Sequence, residues 1–540
     1  MKKNNLAIAL TLLIISCVYF SIPNYRHLSD GLIAALRIRQ STHSWFVHPN
    51  HPAHPLIPLI IYNAIGRDAS GISELELLQL WSTFLGIATC IIYAYTICFI
   101  GTSLPGSLFA LLLLAFSHGI WFFSTAANPQ ATALMTNVLL LSVLVTMSGA
   151  KNESLFFRYL LTIAAICALA VFSSQLNALM LIPSIYIVLV KRGSAQLRAK
   201  CVMLLILYFL LFTAILYILV GLLFLNFNNP ADFYLWQRSY VYQSRWWALN
   251  VPDLLQRNAL GLVRVFIAIG SELTTPMKLP DASSSIFNTP PAILSIIAIV
   301  FSCTSLFVMV IATFRDWWRN GLENTVQNIA MLAFAPMFIF CSVWVPETYH
   351  YRILYVPSLI LFIVPYIDRR FNIKNITLKG GLVPFSLVFC IFFNNLLIAA
   401  IPESNPSNNP YFYETTLLSR YLNQSDIVIY LGTDEGRTKA LYTQYFIGSR
   451  VDLIDSLISE YRKRPDDTIN DIKLNYRNYP LILIHQDALN PSREDTELLR
   501  IQYGTDINNA EITRFLDNWA KPAGLYDVIN DNSYYKIHLN

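Results

Sequence analysis

The chain has 540 residues, of which 55% are hydrophobic and only 13% are charged. Soluble proteins carry roughly 25% charged residues, so about half of the usual charge is missing. This composition excludes collagen-like chains, coiled coils, disordered chains and cytosolic enzymes, and it predicts a multi-pass α-helical membrane protein. The net charge is +5, and the Lys and Arg residues do not form the clustered basic stripe of a nucleic-acid-binding protein. We therefore expect no nucleic-acid partner.

Apolar stretches without charge predict the membrane helices. Residues 77–150 carry no charged side chain, and one span needs about 20 apolar residues, so this stretch has room for three spans. The same criterion, applied to the whole chain, predicts about 11 spans. They lie near 6–23, 76–100, 104–123, 131–149, 156–173, 176–190, 201–225, 291–314, 328–345, 353–367 and 382–401.

The basic residues of the short loops predict the orientation in the membrane. With Lys2 and Lys3 in the cytoplasm, most other Lys and Arg of the membrane part also fall on the cytoplasmic side. The C-terminal region is then extracytoplasmic, provided that 257–273 is an interfacial or re-entrant helix and not a span. We expect the first span to stay uncleaved, because no small-residue cleavage site follows it.

Hydrophobicity divides the chain into a transmembrane domain, 1–401, and a tail, 402–540. The transmembrane domain has two long outer loops, 24–75 and 226–290. In the tail, strand-like runs near 427–431, 451–454, 481–484 and 534–539 alternate with helical stretches such as 411–423 and 494–503. This alternation predicts a small soluble α/β domain. Its Gly432–Arg437 turn lacks the spacing of a nucleotide-binding loop, and we expect a structural or acceptor-recognition module.

The first outer loop has the densest set of chemically useful side chains. It contains a carboxylate, two guanidinium groups and three His-Pro pairs: Asp30, Arg37, Arg39, His48, His51 and His54. Asp30 could act as general base towards an attacking hydroxyl. Arg37 and Arg39 are candidates to bind a donor phosphate, and the three His are candidates to contact substrate.

Two other interpretations of this loop remain open. Asp30 could simply cap the helix predicted over residues 31–40. The spacing of the three His invites a metal site, since imidazole is a common zinc ligand. However, the prolines between them prevent a regular helix, so we predict no metal ligands. No feature of the sequence requires a cofactor, although a divalent metal remains compatible with it.

Three further segments carry candidate residues. In the late loop 344–352, His350 or Arg352 could bind a donor phosphate, or the loop could be an interfacial anchor in which Arg352 extends towards the headgroups. Asn128 and Gln130 lie near span ends, where polar groups either join helices or contact substrate. The aromatic and Arg-rich segment 234–247 indicates packing at the interface more than sugar stacking.

Several of these segments resemble, in order, the multi-pass family that includes the transmembrane protein O-mannosyltransferases. Asp30-Gly-Leu and His51-Pro-Ala-His-Pro-Leu56 are similar to the family's opening motif, and the segments 116–131 and 172–177 follow. This family belongs to the GT-C superfamily of glycosyltransferases that use polyprenyl-phosphate sugars. The sequence departs from the motifs at Leu32 and Asn128, where the family has acidic residues.

The resemblance implies a cytoplasmic N-terminus, a catalytic Asp in the first outer loop, which is Asp30 here, and a soluble outer domain. It also implies an inverting, mannosyltransferase-like transfer of a hexose from a polyprenyl-phosphate donor to a hydroxyl on a glycan, lipid or protein. A bacterial inner membrane is the expected location. The alternatives are a transporter or flippase of a lipid-linked glycan, and a glycan polymerase or ligase.

Overall fold

The structure is a computed structural model. It describes residues 2–40, 48–65, 71–149, 153–190, 194–238, 247, 253–269, 290–320, 324–371, 378–503, 505–529 and 532–539. The chain forms two compact units: unit 1 contains Met1–Arg26 and Arg37–Ser404, and unit 2 contains His27–Leu36 and Asn405–Asn540.

Unit 1 is helical. Its α-helices in the described ranges are Lys2–Ser21, Ala53–Ile65, Glu74–Phe99, Leu104–Phe116, His118–Thr125, Gln130–Gly149, Glu153–Ser173, Leu181–Val190, Ala195–Leu223, Pro230–Arg238, Leu254–Phe266, Pro290–Asn320, Thr325–Val343, Val356–Phe371, Leu378–Asn395 and Ile401–Glu403. Short 3₁₀ or π segments cover Gln175–Met180, Arg352–Tyr355 and Leu396–Ala400. Helix Ser29–Gln40 begins in unit 2 and ends in unit 1.

Several of these helices can cross a membrane. Within the described ranges, six are long and apolar enough: Glu74–Phe99, Gln130–Gly149, Ala195–Leu223, Ile293–Arg319, Thr325–Val343 and Val383–Glu403. The helices Leu104–Phe116 and His118–Thr125 are bent by 59° relative to each other, and counting this pair as one span gives up to seven candidate spans in the described ranges. Shorter apolar helices cover Asn5–Ser21, Tyr159–Ser173 and Gln175–Val190. The predicted helical membrane architecture is confirmed, whereas the count of about 11 spans and the orientation remain predictions.

Polar side chains join the helices of unit 1. The Tyr19 hydroxyl donates to the Ala115 carbonyl at 2.7 Å, and the Tyr93 hydroxyl donates to the Pro357 carbonyl at 3.0 Å. The Asn137 amide donates to the Asn177 side-chain oxygen at 2.9 Å. Apolar packing alone does not distinguish a neighbouring helix from lipid, so such directional bonds help to define which helix faces which.

The segment predicted as an interfacial or re-entrant helix, 257–273, contains a helix at Leu254–Phe266. This helix is amphipathic: Leu260, Val265 and Phe266 are buried, whereas Leu255 is 84% exposed. An apolar face packed on protein and an opposite face left open are typical of a helix that lies along an interface. Its placement in the membrane stays a prediction.

Unit 2 contains a five-stranded mixed sheet. In chain order its strands are β1 (Ile427–Tyr430), β2 (Arg450–Leu453), β3 (Ile482–His485), β4 (Ala520–Ile529) and β5 (Asn532–Leu539). The order across the sheet is β2-β1-β3-β5-β4, with β1 parallel to both β2 and β3. Strand β5 is antiparallel to β3 and β4. The four predicted strands therefore overlap β1, β2, β3 and β5, whereas β4 was missed.

Helices of unit 2 flank the sheet. They are Pro410–Leu418, Asp434–Phe446, Ile454–Lys463, Pro465–Tyr476, Gln486–Leu489, Arg493–Tyr503 and Asn509–Asp517. The four residues of β1 are buried, with Ile427 and Ile429 in one apolar cluster and Val428 and Tyr430 in another. A strand buried on both faces is typical of a parallel sheet covered by helices on each side.

Residues 27–36 also belong to unit 2, although the sequence analysis placed them in the first outer loop of the membrane part. The His27 backbone N–H donates to the Tyr442 hydroxyl at 3.1 Å, and this hydroxyl lies 3.1 Å from the His27 carbonyl oxygen, to which it donates. The Asn409 side-chain amide donates to the same hydroxyl at 2.6 Å. Leu32 and Ala35 are fully buried. This short segment is thus packed into unit 2.

Candidate functional site

Asp30 is the second residue of helix Ser29–Gln40, and its side chain is exposed. The backbone N–H groups of Gly31 and Leu32 donate to the Leu28 carbonyl, at 3.0 and 3.1 Å. Among the residues that the structure describes, none forms a hydrogen bond or ion pair with the Asp30 carboxylate, so the capping bond considered above is not observed. The positive end of the helix dipole favours a carboxylate here, and the group stays open to a ligand.

Arg39 lies near the end of the same helix and is held by a buried acid. Its Nε and Nη2 donate to Glu74 Oε2 at 3.3 and 3.0 Å. The Tyr62 hydroxyl donates to the other Glu74 oxygen at 3.2 Å. Glu74 is only 7% exposed, whereas the Arg39 side chain is 41% exposed. A buried carboxylate therefore orients a cation that solvent, or a ligand, can still reach.

The three His-Pro pairs form a compact cluster. The rings of His48 and His51 lie 5.6 Å apart, and His51 Nδ1 lies 3.3 Å from the Ser173 carbonyl oxygen. The loop between them is held at the Pro49 carbonyl, which accepts bonds from Gln175 Nε2 at 3.2 Å and from the Tyr217 hydroxyl at 3.0 Å. These contacts order a proline-rich segment that has little regular structure of its own.

Two of the three imidazoles, those of His48 and His54, are uncharged at neutral pH. Burial lowers the pKa of His48 to about 2, with smaller contributions from His51 and Arg37. Burial also lowers the pKa of His54 to about 3, assisted by His51. At neutral pH these imidazoles therefore offer one donor and one acceptor each and no positive charge. Arg37 and Arg39 are the predicted site residues of this region that carry a positive charge suited to a phosphate.

The described residues do not provide a metal site, since no group of three or more His, Cys, Asp or Glu side chains among them is placed to hold an ion. His48, His51 and His54 are neighbours without forming such a set. We therefore derive no step through a metal.

The late loop places Arg352 differently from Arg39. Arg352 is fully buried, and its guanidinium donates to protein acceptors on several sides. Nη2 donates to Asn258 Oδ1 at 2.6 Å and to the Pro346 carbonyl at 2.8 Å, and Nη1 donates to the Tyr355 hydroxyl at 3.1 Å. A phosphate would have to displace these partners. As placed, the side chain joins the late loop to helix Leu254–Phe266.

Other contacts complete this joint. Arg257 pairs with Glu347 at 3.0 Å, and the carboxylate is 6% exposed. A Cβ on Gly261 would lie 2.2 Å from the Pro346 carbonyl oxygen, so glycine permits the close approach. Val345 has a φ of 44°, which a β-branched residue rarely adopts. His350 is half-buried against the rings of neighbouring aromatic residues.

The remaining candidates are built into the helix packing. Asn128 is 2% exposed, and its side-chain oxygen accepts a bond from the Gln130 backbone N–H at 3.0 Å. Gln130 is 3% exposed. In the segment 234–247, Trp236 is fully buried, and Arg238 stacks over Tyr234 at 5.7 Å. Residues 239–246 lie outside the described residues.

Glu74 and Asn258, which orient Arg39 and Arg352, were not predicted from the sequence. A signal existed for Glu74, because Ser73 and Glu76 have the spacing of a capping box and place Glu74 in the first turn of a helix. Asn258 has no comparable signal, since its partner is 94 residues away in the chain.

No protein-family model matches the chain, and no curated protein matches it in sequence. Its fold is similar to that of solved membrane enzymes. ArnT from Cupriavidus metallidurans in the apo state matches with a TM-score of 0.55 at 12% identity, over 98% of this chain and 97% of that one. ArnT bound to undecaprenyl phosphate gives a TM-score of 0.53 at 12% identity, with the same shares of each chain covered.

The Archaeoglobus fulgidus oligosaccharyltransferase, in complex with Zn and sulfate, has a TM-score of 0.54 at 12% identity. The match covers 95% of this chain and 71% of that one. These neighbours are GT-C membrane glycosyltransferases. At 12% identity the likeness shows a shared fold alone, and the fold resemblance that the sequence predicted is confirmed.

Proposed function

We propose that this protein is an inverting glycosyltransferase of the membrane, which moves a hexose from a polyprenyl-phosphate donor to an acceptor hydroxyl. The observation that carries the proposal is Asp30: an exposed carboxylate without a partner among the described residues, on the same helix as Arg37 and Arg39, in a chain with the GT-C fold. Undecaprenyl phosphate bound to ArnT, which shares this fold, supports a polyprenyl-phosphate partner.

The spacing on the helix suits the reaction. Asp30 and Arg37 are seven residues apart, which places them on one side of a helix and about 10 Å apart along its axis. Carboxylate and guanidinium can therefore serve different atoms of one substrate pair. Such a separation leaves room for the acceptor hydroxyl beside the base and for the phosphate beside the cation.

In the proposed reaction, the acceptor oxygen attacks the anomeric carbon while the bond from this carbon to the phosphate oxygen breaks. Asp30 takes the proton of the attacking hydroxyl as general base. Polyprenyl phosphate leaves with the bonding electrons, and Arg37 and Arg39 stabilise its negative charge. His48, His51 and His54 contribute hydrogen bonds to substrate hydroxyls. His350 and Arg352 remain secondary candidates for the phosphate.

The setting of the reaction follows the sequence-based topology. We propose that the N-terminus is cytoplasmic, that unit 2 is extracytoplasmic, and that the site faces the outer side of a bacterial inner membrane. The acceptor is a glycan, a lipid or a protein.

Donor turnover tests the proposal. Wild type and Asp30→Asn, each in nanodiscs, are incubated with polyprenyl-phosphate sugars and a broad acceptor extract, and released polyprenyl phosphate is measured by mass spectrometry. We expect about 10²- to 10⁴-fold slower release in Asp30→Asn with donor binding retained. Asp253→Asn, which changes an exposed acid at the start of another helix, is the matched control. Donor binding without turnover in wild type would favour a transporter or flippase and contradict the proposal.

A further inference from the structure

Unit 2 has an open groove on one edge of its sheet. The groove has a volume of about 530 Å³ and is lined by Ser425, Arg450, Leu474, Asn475, Asn478 and Tyr479. Arg450 is the first residue of β2, and Ser425 and Tyr479 precede β1 and β3. The groove therefore lies at the amino ends of the three parallel strands. Its volume falls within the range of small-molecule sites, roughly 300–1,000 Å³.

The opposite edge of the sheet, where α/β proteins commonly bind ligands, is closed by packing. A Cβ on Gly432, just after β1, would lie 2.1 Å from Asp455 Oδ1. Beyond β3, Lys439 and His485 are buried together, with Lys439 Nζ 3.5 Å from His485 Nε2 and 3.8 Å from Glu414 Oε2. The amino edge is thus the side of the sheet with open space.

The guanidinium in the groove is held in place. Arg450 Nε lies 3.1 Å from Asp452 Oδ2, and the same carboxylate oxygen accepts a bond from the Tyr476 hydroxyl at 2.6 Å. The Arg450 guanidinium also stacks on the rings of Tyr476 and Tyr479, at 5.5 and 5.9 Å. A planar cation fixed in this way loses little conformational freedom when it binds a ligand.

The amides beside it are available. Asn475 and Asn478 are exposed, and neither side chain forms a hydrogen bond within the ranges that the structure describes. Tyr479 is half-buried, and Leu474 is 71% exposed. Planar amides can donate to and accept from neighbouring hydroxyls, and a guanidinium can donate to them, while an aromatic ring and an aliphatic side chain offer apolar contact.

We infer that this groove binds carbohydrate, as the recognition site for the glycan part of the acceptor. Sugars present paired hydroxyls around an apolar face of C–H groups, which is the chemistry that this lining matches. The inference rests on the proposed function for its biological meaning.

Binding of soluble oligosaccharides tests the inference without requiring turnover. The full chain in nanodiscs is titrated with a panel of neutral, amino-sugar and phosphorylated oligosaccharides, and binding is followed by saturation-transfer NMR. The double variant Asn475→Ala/Asn478→Ala should raise Kd about tenfold, since it removes two neutral hydrogen-bonding groups. Asn470→Ala, an exposed amide on helix Pro465–Tyr476 outside the groove lining, should bind as wild type does.

The outcomes separate the two proposals. The inference is overturned if wild type binds no member of the panel, or if the double variant binds as tightly as wild type while both unfold at the same temperature. If wild type binds a glycan through the groove but releases no polyprenyl phosphate in the Asp30 assay, the carbohydrate site stands and the glycosyltransferase proposal fails.

Discussion

Arg39 and Arg352 show two uses of arginine within unit 1. Both residues lie in regions that the sequence marks as candidate phosphate sites, and both are held by side chains from distant segments. Arg39 is oriented from one side by Glu74 and stays partly exposed. Arg352 is enclosed, and its donors are directed at carbonyl, amide and hydroxyl oxygens of the protein.

The difference shows that the exposure of a guanidinium near a predicted membrane surface determines whether it can bind a ligand. A guanidinium with one exposed side can add a phosphate to its partners. A fully enclosed guanidinium donates hydrogen bonds to the carbonyl oxygens of an irregular loop, which have no backbone N–H donors. Its loss leaves these buried acceptors without donors. Ligand binding should therefore depend most on the first region, and folding most on the second.

The largest effect should come from Arg352→Met. This substitution leaves the Pro346 carbonyl, Asn258 Oδ1 and the Tyr355 hydroxyl without their donor, and it should destabilise unit 1 by more than about 3 kcal/mol. We expect a lower thermal unfolding midpoint and a low folded yield, measured by fluorescence-detected size-exclusion chromatography. A variant with normal stability but weaker donor binding would show instead that Arg352 is a ligand residue.

Arg37→Gln should weaken binding of the donor phosphate. Hydrogen bonds to charged groups contribute about 1.5–3 kcal/mol, so affinity for polyprenyl phosphate should fall about 10- to 100-fold. Equilibrium binding of labelled polyprenyl phosphate measures this, with Arg514→Gln, an exposed arginine of unit 2, as a control for net charge. Unchanged affinity would remove Arg37 from the site.

Gly261→Ala examines the close approach around Arg352. The new Cβ would lie 2.2 Å from the Pro346 carbonyl oxygen and 2.6 Å from Arg352 Nε, so the late loop must move. Overpacking of this kind costs about 1–3 kcal/mol, which thermal unfolding would detect. Gly149→Ala is the control, since its Cβ meets only the Phe99 ring at 3.3 Å. Equal effects of the two substitutions would argue against a tight joint at Gly261.

The smallest expected effect is a dependence of folding stability on pH, which comes from the His cluster. The pKa of His54 is lowered from 6.5 to about 3, so the unfolded chain binds a proton below pH 6.5 that the folded chain excludes. Stability should fall as the pH drops from about 7 towards 3, by about 1.4 kcal/mol at pH 5.5 for His54 alone.

His54→Leu should reduce this loss, as thermal unfolding at pH 7.5 and pH 5.5 would show. A variant with the same pH dependence as wild type would mean that the pKa of His54 is the same in the folded and the unfolded chain.

Much of the fold could be predicted from the sequence because its signals are local. Apolar runs predict the helices of unit 1, and short apolar runs between turns predict β1, β2, β3 and β5 of unit 2. Strand β4 was missed because Pro522 and Gly524 interrupt it, and the pairing with β5 shifts register between them. Proline and glycine weaken a strand signal, although a bulge at the sheet edge accommodates both.

The roles of the site residues are harder to predict from the sequence than the fold is. Asp30 is predicted from its position after the first span and from a resemblance, and its exposed side chain is accessible to a ligand. The burial of Arg352 was not predictable, because it depends on Asn258 and Gly261 in a helix distant along the chain. Residue type and spacing predict which side chains can bind phosphate, whereas tertiary packing decides which of them remain open.

Unit 2 contains two segments that lie far apart in the chain, and this has a consequence for synthesis. Tyr442, which bonds to both backbone groups of His27, lies 415 residues later in the chain. Residues 27–36 must therefore wait, without their final partners, until these 415 residues have been translated. A chain truncated before residue 405 would keep the membrane helices but would leave this early segment, with Asp30 inside it, without the body into which it folds.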